Sequence, residues 1–378
     1  MSIEYCFISP LDVLLLRGNQ LFGDPGSYGE SLIPPWPSVA AGAIRSRMLV
    51  DDQIDLAAFS RSEIMHPTLG TPRQPGSFVL AGFYLARKKQ ELTEILMAPP
   101  ADLVFQKRED ATAVEIRRFM PRSVDLPSSC TLPLLPVLPQ DERSKSESGW
   151  WLTQAGWEAY LKGNLPKAEE LVHSSELWKF DDRVGIGMEV STRSAERGKL
   201  FTSRAVALNR NVGFLVGVMG ALPPGTGLLR FGGDGRAASI EAVDVNLPEP
   251  DYETISRIGR CRVVLTSPGL FPEGWKLPGV DADLSVSLDG IRAKLVSACV
   301  PRFETISGWD LAKGGPKPAH RVAPAGSVYW FDELHATPDA LRKLVRTGLW
   351  DEALEDGHQP ADSSRRAEGF NRVAVAAW

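Results

Sequence analysis

The pattern of apolar and polar positions predicts short strands separated by a few helices. Residues 3–8 are rich in aromatic and β-branched side chains, which favours a strand that ends at Pro10. Four apolar residues then recur at helical spacing: Val39, Ala43, Ile44 and Met48. Ser38 is placed to cap that helix. Residues 78–85 predict another strand, so the chain begins β-α-β.

The middle of the chain predicts a β-hairpin. Residues 184–190 and 200–208 are strand-like and flank STRSAERGK, which predicts a hairpin with a long basic loop. Before it, residues 122–180 are proline-rich, then polar, then helical and rich in tryptophan, so we interpret them as an insertion. Two further stretches, 212–218 and 228–243, are strand candidates.

The last third of the chain allows a second β-α-β-β-α-β order after a linker at residues 246–250. The predicted elements are strands at 262–266, 300–305, 322–331 and 372–376 and helices at 288–297 and 339–347. We therefore predict an α+β protein with two ferredoxin-like (RRM-like, βαββαβ) folds, a long insertion and a projecting β-hairpin. The first domain is residues 1–248, with the insertion at about 122–180 and the hairpin at about 184–208; the second is residues 249–378.

Composition and charge narrow the function classes. The 378 residues are 43% hydrophobic and carry a net charge of -5, which indicates a packed protein with no overall attraction to nucleic acid. Glu4 and Asp12 lie where a secretory signal would be basic and then apolar, and no apolar run approaches the ~20 residues of a membrane span. The four cysteines are far apart, so we expect a cytoplasmic protein without disulfides.

Basic residues nevertheless gather locally. Residues 193–210 contain one acid, Glu196, and five basic residues: Arg193, Arg197, Lys199, Arg204 and Arg210. Such a segment can follow a phosphate backbone, and the alternative is a solvated basic face. A second cluster, Arg117, Arg118 and Arg122 around Phe119, has the composition of a surface that stacks on unpaired bases.

The most distinctive motif is FGGDGR at residues 231–236. Gly232, Gly233 and Gly235 free the backbone to present amides to a phosphate, and Arg236 adds a forked charged donor. The alternative is an ordinary hairpin turn, which glycine-rich pairs also favour. The motif also begins like the metal-binding hairpin of nucleotide cyclases, but Gly235 replaces the second acid that two-metal chemistry needs.

No catalytic set is recognisable. The histidines are His66, His173, His320, His335 and His358, and none shows metal-ligand spacing. Phosphate-loop and nucleophile-elbow motifs are also missing from the sequence. We therefore predict no metal, no cofactor and no enzymatic activity.

Seven segments, in this order, resemble the third subunit of the type III-B CRISPR effector called the Cmr complex, a member of the RAMP superfamily. They are PLDVLLLRGNQLFG, SLIPPWPSVAAGAIRS, VGIGMEVSTRSAERGKLFTSRAV, FGGDGR, LTSPGLFPEGW, SGWDLAKGGPKP and APAGSVYWF. The order makes the resemblance specific. Asp234 replaces a glutamate common in this family, and the C-terminal GFNRVAVAAW lacks a second expected glycine.

The resemblance implies a non-catalytic, cytoplasmic subunit that acts in antiviral defence. Its partners would be the 5′ handle of the guide RNA, the large polymerase-like subunit and the backbone RAMP subunit. The implied RNA-binding residues are Arg17, Ser38, Arg45, Arg193, Arg197, Lys199, Gly232, Gly233, Gly235 and Arg236. Two alternatives stay open: a metal-independent RAMP endoribonuclease with His66 or His320 as base, and a scaffold that contacts only proteins.

Overall fold

A computed structural model of the chain describes residues 2–16, 18, 28–29, 31–90, 92–107, 114–125, 128–139, 146–189, 191–288, 290–310, 312–350 and 363–378. The strands are β1 Glu4–Pro10, β2 Tyr28–Gly29, β3 Val79–Lys89, β4 Leu92–Leu96, β5 Leu103–Lys107, β6 Val114–Arg118, β7 Met120–Arg122, β8 Leu135–Val137, β9 Trp150–Leu152, β10 Leu171–His173, β11 Trp178–Met188, β12 Ala195–Leu208, β13 Val212–Met219, β14 Thr226–Arg230, β15 Ala237–Ala242, β16 Cys261–Leu265, β17 Ser285–Leu288, β18 Ile291–Cys299, β19 Glu304–Ile306, β20 Trp309–Asp310, β21 Gly315–Pro316, β22 His320–Val322, β23 Val328–Ala336 and β24 Val373–Ala376. The helices are α1 Pro37–Asp51, α2 Leu56–Ser60, α3 Gln154–Leu161, α4 Tyr252–Ile258, α5 Pro338–Thr347 and α6 Ser363–Ala367, with short 3-10 turns at Ala168–Glu170 and Ser174–Glu176. The predicted α+β class is confirmed.

Contacts divide the chain into two compact units. The first contains Met1–Thr93, Ser175–Asp244 and Thr305–His320. The second contains Glu94–Ser174, Val245–Glu304 and Arg321–Trp378. This division differs from the predicted domains, 1–248 and 249–378, because most of the stretch interpreted as an insertion belongs to the second unit.

The sheet of the first unit has the order β14-β15-β1-β13-β3-β4. Its four inner strands are, in chain order, β1, β3, β13 and β15. In the sheet, β15 lies beside β1, and β13 lies between β1 and β3. β13, the apolar run predicted as a strand, is buried from Val212 to Val218, as expected for a strand in the middle of a sheet. The predicted first strand and the strand at 78–85 are also confirmed, as β1 and β3.

Helix α1 follows the predicted apolar spacing but begins earlier. Ala40, Ile44 and Met48 are buried along one side, at intervals of four residues. Pro37 occupies the first helical position, where its missing N–H costs nothing, and Trp36 is the N-cap residue without a side-chain hydrogen bond. The prediction that Ser38 caps the helix is therefore wrong, because Ser38 already lies inside the first turn.

The hairpin is confirmed, but its strands are longer and its loop is shorter than predicted. β11 and β12 pair antiparallel from Trp178↔Leu208 to Ile186↔Leu200, and the pairing resumes at Met188↔Ala195. Most of STRSAERGK consequently belongs to β12 rather than to a loop. The predicted long basic loop is wrong, because cross-strand pairing continues almost to the tip.

The sheet of the second unit has the order β17-β18-β23-β16-β24. Its strands β16, β18, β23 and β24 repeat the arrangement of the first sheet. β24 lies beside β16, and β23 lies between β16 and β18. The predicted helix at 288–297 is wrong, because Gly290, with φ 72°, turns the chain between β17 and β18 and Leu288 pairs with Ile291. The predicted helix at 339–347 and the last strand are confirmed as α5 and β24.

Two other strand predictions in this unit fail in position. The stretch 300–305 is strand only from Glu304. The strand predicted at 322–331 splits, because β22 ends at Val322 and β23 begins at Val328. Gly326, with φ 89°, lies in the turn between them, and its N–H donates to the carbonyl of Leu265. The Pro-Ala-Gly sequence at 324–326 therefore marks a strand boundary.

Candidate functional site

The glycine loop, residues 231–236, is the turn that connects β14 to β15. Gly232, Asp234 and Gly235 have φ values of 82°, 54° and 64°, in the left-handed region that favours glycine. The N–H of Phe231 donates to the carbonyl of Arg236 at 2.9 Å, which closes the turn. Phe231 is fully buried and stacks on Phe214 with a centroid distance of 5.3 Å. An anchored aromatic ring therefore holds the loop, while Gly232 and Gly235 remain exposed.

The glycine loop is hydrogen-bonded to the chain that follows the first strand. The N–H of Gly233 donates to the carbonyl of Leu15 at 2.7 Å. Gly232 has no room for a side chain, because a Cβ there would lie 2.9 Å from the same carbonyl oxygen. The amides of Phe231, Gly233 and Arg236 are all used inside the protein, so the loop presents fewer amides to a phosphate than the sequence indicates.

The same segment also binds the base of the hairpin. Leu14 and Val206 of β12 exchange two backbone hydrogen bonds of 2.8 Å. The Oγ of Ser31 accepts from the N–H of Leu16 at 3.2 Å and donates to the carbonyl of Arg204 at 2.5 Å. Residues 14–16 therefore lie between the glycine loop and β12. The structure brings these two predicted features together through one extended segment, which we call the central segment.

Arg236 is held beside the loop by an acid. Its Nη1 donates to Oδ2 of Asp12 at 2.6 Å, and its Nε is buried with no hydrogen-bond partner among the described residues. The guanidinium is about one quarter exposed, while Asp12 is largely exposed. Because Nε is shielded from solvent, the donors of Arg236 that remain for a further acceptor are those of the terminal nitrogens.

Three other predicted RNA-binding residues, Arg17, Ser38 and Arg45, lie before the glycine loop in the sequence. Arg17 lies outside the described residues, although it directly follows the central segment. Ser38 and Arg45 are both half-buried on α1, and their spacing of seven residues places them on the same side of the helix.

The charges of the hairpin are mostly paired. Lys199 forms an ion pair with Glu196 at 2.6 Å. Arg204 donates from Nε and Nη2 to the two carboxylate oxygens of Asp182 and lies over the ring of Phe180. Arg193 is exposed at the tip with a φ of 52°. The side chain of Arg197 lies outside the described residues.

The tip of the hairpin presents apolar side chains that the sequence analysis did not identify as functional. Val184, Ile186 and Leu200 are all exposed. They lie on one face, because Ile186 pairs with Leu200 and alternate residues of a strand point the same way. Such alternation is typical of a strand with one buried face, but nothing within the described chain covers this one.

Two of the arginines around Phe119, Arg117 and Arg118, bind groups of the second unit. Arg118 donates to the carbonyls of Gly163 and Asn164 at 2.8 and 2.6 Å. Burial, and the nearby charge of Arg262, lower the pKa of Arg118 to about 10. Arg117 pairs with Glu115 at 2.9 Å. The interpretation of this cluster as a base-stacking surface is therefore wrong for Arg118, whose guanidinium is bound inside the unit.

A buried ionic network lies next to Arg118. Arg262 donates from Nη1 to Oδ2 of Asp102 at 2.8 Å, and both side chains are almost completely inaccessible. The Tyr160 hydroxyl donates to Oδ1 of the same carboxylate at 2.9 Å, and burial raises the pKa of this tyrosine. Arg262 also donates to the carbonyl of Ala377 at 3.0 Å. The network links the tryptophan-rich stretch to the sheet of the second unit.

The two histidines considered as bases differ in their surroundings. His66 is buried; its Nδ1 accepts from the amides of Thr68 and Leu69, and its Nε2 lies 2.7 Å from Oδ2 of Asp52. Both ring nitrogens are therefore occupied. His320 is half-buried in β22.

The described residues offer neither a metal site nor a membrane-spanning helix. Among the described residues, no three His, Cys, Asp or Glu side chains are grouped as a metal ion would require. No helix in the described part of the chain has the length and apolarity to cross a membrane.

Comparisons with known proteins complete the description. No curated protein matches the sequence. A chain of the cryo-EM structure of the type III-B Cmr-beta bound to cognate target RNA and AMPPnP, state 1, is 13% identical, with a TM-score of 0.49, over 97% of this chain and 93% of that chain. A chain of the type III-B Cmr-beta bound to cognate target RNA is 14% identical, with a TM-score of 0.44, over 98% and 96% of the two chains. The family model described as CRISPR-associated protein (Cas_Cmr3) matches residues 6–378, so the protein belongs to this family and the resemblance seen in its sequence is confirmed.

Proposed function

We propose that this chain is the non-catalytic subunit of a type III-B Cmr complex that holds the 5′ handle of the guide RNA. One observation carries the proposal: the glycine loop and the base of the hairpin bind opposite sides of the central segment. Three features that are separate in the sequence are adjacent in the structure, and we infer that their exposed residues form an extended surface. A surface of this kind suits a single strand, which is bound along its backbone rather than in a closed pocket.

The chemistry of this surface fits phosphate contacts. Asp12 binds one donor of Arg236 and so fixes its guanidinium beside the loop, where its remaining donors suit a phosphate oxygen. Gly235 allows close approach of a strand because it carries no side chain and nothing lies within 4 Å of its Cβ position, whereas the missing side chain of Gly232 makes room for the Leu15 carbonyl. Arg17 directly follows the central segment in the sequence and would add a second charge. Affinity would come mainly from the phosphates, and specificity from bases turned toward the protein.

The local charges make the hairpin a weaker electrostatic contact than its composition indicates. Arg204 and Lys199 each face an acid on the same hairpin, and Arg193 is exposed at the tip. Arg236 also faces an acid, Asp12, so we assign the main phosphate contacts to the glycine loop on the ground of its position against the central segment. Arg193, Arg197 and Lys199 contribute a smaller, salt-sensitive part.

A non-catalytic role agrees with the surroundings of His66. A general base needs a free nitrogen within reach of the proton it removes. Nδ1 of His66 accepts two backbone amides and Nε2 faces Asp52, so the imidazole stabilises the turn after α2. No observation favours the endoribonuclease alternative.

We also propose that both sheets are ferredoxin-like. The split βαβ arrangement requires the third strand to lie between the first two, as it does in both sheets. Each sheet departs from the full pattern by one helix. Among the described residues, the first sheet has a helix, α1, between β1 and β3 and none between β13 and β15. The second sheet has a helix, α5, between β23 and β24 and none between β16 and β18.

The partner proteins follow from membership of the family. The chain would bridge the large polymerase-like subunit and the backbone RAMP subunit, with the handle between them. The exposed apolar tip of the hairpin is available for such an assembly.

Charge reversal tests the proposal. Complexes carrying Arg236→Glu, or Arg193→Glu with Arg197→Glu and Lys199→Glu, are purified and their guide RNA is quantified as salt is raised. We expect RNA loss at lower salt than in the wild type, with the larger effect for Arg236→Glu. Arg61→Glu is the matched control, because Arg61 is an exposed arginine paired with Glu63 outside this surface. Unchanged occupancy in both variants would contradict the proposal.

A further inference from the structure

The segment Ser307–Lys317 presents a tryptophan that neither the glycine loop nor the hairpin explains. Trp309 is 60% exposed, the most exposed of the ten tryptophans. It lies on β20, opposite Pro316 of β21. The sequence around Trp309, SGWDLAKGGPKP, is one of the segments that carry the family resemblance.

Hydrogen bonds hold the backbone on both sides of Trp309. The N–H of Lys317 donates to the carbonyl of Gly308 at 2.8 Å, and Ser307 Oγ donates to the carbonyl of Lys317 at 2.9 Å. The turn is closed by Asp310, whose Oδ1 accepts from the amides of Ala312 and Lys313 at 3.0 and 3.2 Å. The aspartate is thus committed to the turn. Trp309 is presented on a fixed scaffold and needs little reorganisation to bind.

The surroundings of Trp309 resemble a stacking platform more than a protein interface. Gly308, Lys313 and Pro316 are exposed beside it in the chain. Lys313 is 82% exposed and its Nζ lies 3.6 Å from Oδ2 of Asp310, a solvated ion pair that a phosphate can replace. Among the described residues of Thr305–His320, Trp309 is the one exposed large apolar side chain. Within the described part of this segment, the exposed apolar area is therefore one ring wide, which matches a nucleobase, whereas a protein partner would bury a broader apolar patch.

We propose that Trp309 stacks on an unpaired base of the guide RNA and that Lys313 contacts the neighbouring phosphate. This inference rests on the proposed function, because it requires a guide strand on this subunit. It adds a second contact, made to the face of a base rather than to the sugar-phosphate backbone of the RNA. Stacking of this type tolerates different bases, so its strength depends little on the sequence at that position.

The test uses purified complexes with Trp309→Ala, Trp309→Phe and Trp275→Ala, the last an exposed tryptophan, at 40%, in the second unit. Guide retention is measured against salt, and contacts are mapped by photo-crosslinking from guides that carry a single 4-thiouridine at successive positions. We expect Trp309→Ala to weaken retention by about five- to a hundredfold and to remove one crosslink, as base stacking on an aromatic ring predicts. Trp309→Phe should retain both, and Trp275→Ala should change neither.

Three outcomes would overturn the inference. In the first, Arg236→Glu lowers retention while Trp309→Ala leaves retention and crosslinks unchanged; the proposed function then stands and Trp309 has no part in it. In the second, Trp309→Ala lowers incorporation of the chain into complexes from which RNA has been removed, so Trp309 is a protein contact. In the third, the wild-type complex holds no guide on this subunit, and both proposals fail together.

Discussion

The amide of Gly233 donates to the carbonyl of Leu15 at 2.7 Å, and this bond joins the glycine loop to the central segment. On its other side, the central segment exchanges backbone bonds with β12 through Leu14 and Val206. The position of the loop therefore depends on close backbone approach, which constrains the residues that the loop can contain.

The first prediction concerns the two exposed glycines of the loop. Gly232→Ala should destabilise the protein by roughly 2 kcal/mol or more, because a left-handed alanine costs about 1–2 kcal/mol and its Cβ would also meet the Leu15 carbonyl oxygen at 2.9 Å. Gly235→Ala should cost only about 1 kcal/mol, because its φ is also positive but nothing lies within 4 Å of the added Cβ. Urea unfolding of the two variants measures the difference; equal losses would contradict the assigned contact.

Part of this site was predictable from the sequence. Three glycines in four positions indicated a turn with positive φ, and Gly232, Asp234 and Gly235 have it. The bond from Gly233 to Leu15 was not predictable, because it joins residues more than two hundred positions apart and leaves no local signal. The pairing of Arg204 with Asp182 was missed for another reason: the first strand of the hairpin was predicted to begin at residue 184, so Asp182 lay outside it.

The second prediction concerns the buried network of the second unit. Arg262→Met should lower the free energy of unfolding by about 3–5 kcal/mol, because it leaves the inaccessible carboxylate of Asp102 without its principal partner. Arg260→Met should cost about 1 kcal/mol or less, since Arg260 is half exposed and its ion pair with Asp332 is solvated. Chemical denaturation of both variants supplies the comparison. A loss at Arg262 no larger than that at Arg260 would show that the network is not stabilising.

The third prediction concerns the cysteines. Burial raises the pKa of the Cys6 and Cys261 thiols to about 12 and that of Cys299 to about 11, whereas Cys130 is exposed. Because the thiolate is the reactive form, native protein at pH 8 should react with a thiol reagent at Cys130 far faster than elsewhere. After denaturation all four cysteines should react. Rapid modification of Cys6 in folded protein would contradict the described burial.

These raised pKa values also fix the sign of a pH effect. An unfolded thiol ionises near its ordinary pKa of 9.0, while the folded thiols of Cys6 and Cys261 stay neutral until about 12. Their contribution to stability is therefore complete below about pH 9 and is lost as the pH rises from there toward 12. We expect the urea midpoint to fall between pH 8 and pH 10.5, and to fall less in a Cys6→Ala, Cys261→Ala variant. An equal fall in both proteins would assign the effect to other groups.

The fourth prediction concerns His66 and the enzymatic alternative. His66→Ala should destabilise the protein by about 1–3 kcal/mol, because it leaves the amides of Thr68 and Leu69 without their acceptor. The wild-type chain incubated with labelled repeat RNA and without metal should leave the RNA intact. Cleavage by the wild type that is lost in His66→Ala or His320→Ala would support an endoribonuclease instead.

In the fold as well, features that depend on neighbouring residues were predictable from the sequence, and features that depend on distant residues were not. The β17–β18 turn carried a local signal, a glycine directly after an aspartate in the sequence, and the error was to follow helical spacing there. The place of residues 94–174 in the second unit had no such signal. It depends on Asp102 and Tyr160 meeting Arg262, more than a hundred residues later in the chain. Only tertiary packing reveals that relationship.

The most direct test of the account is a photo-crosslink from the handle itself. A guide RNA with 4-thiouridine in its 5′ handle is assembled into the complete complex, irradiated, and the adducts on this chain are mapped by mass spectrometry. The account predicts adducts in peptides that contain residues 12–18 and 231–236, and their loss in the Arg236→Glu complex. A handle that crosslinks only to other subunits, while the wild-type complex retains its guide, would contradict it.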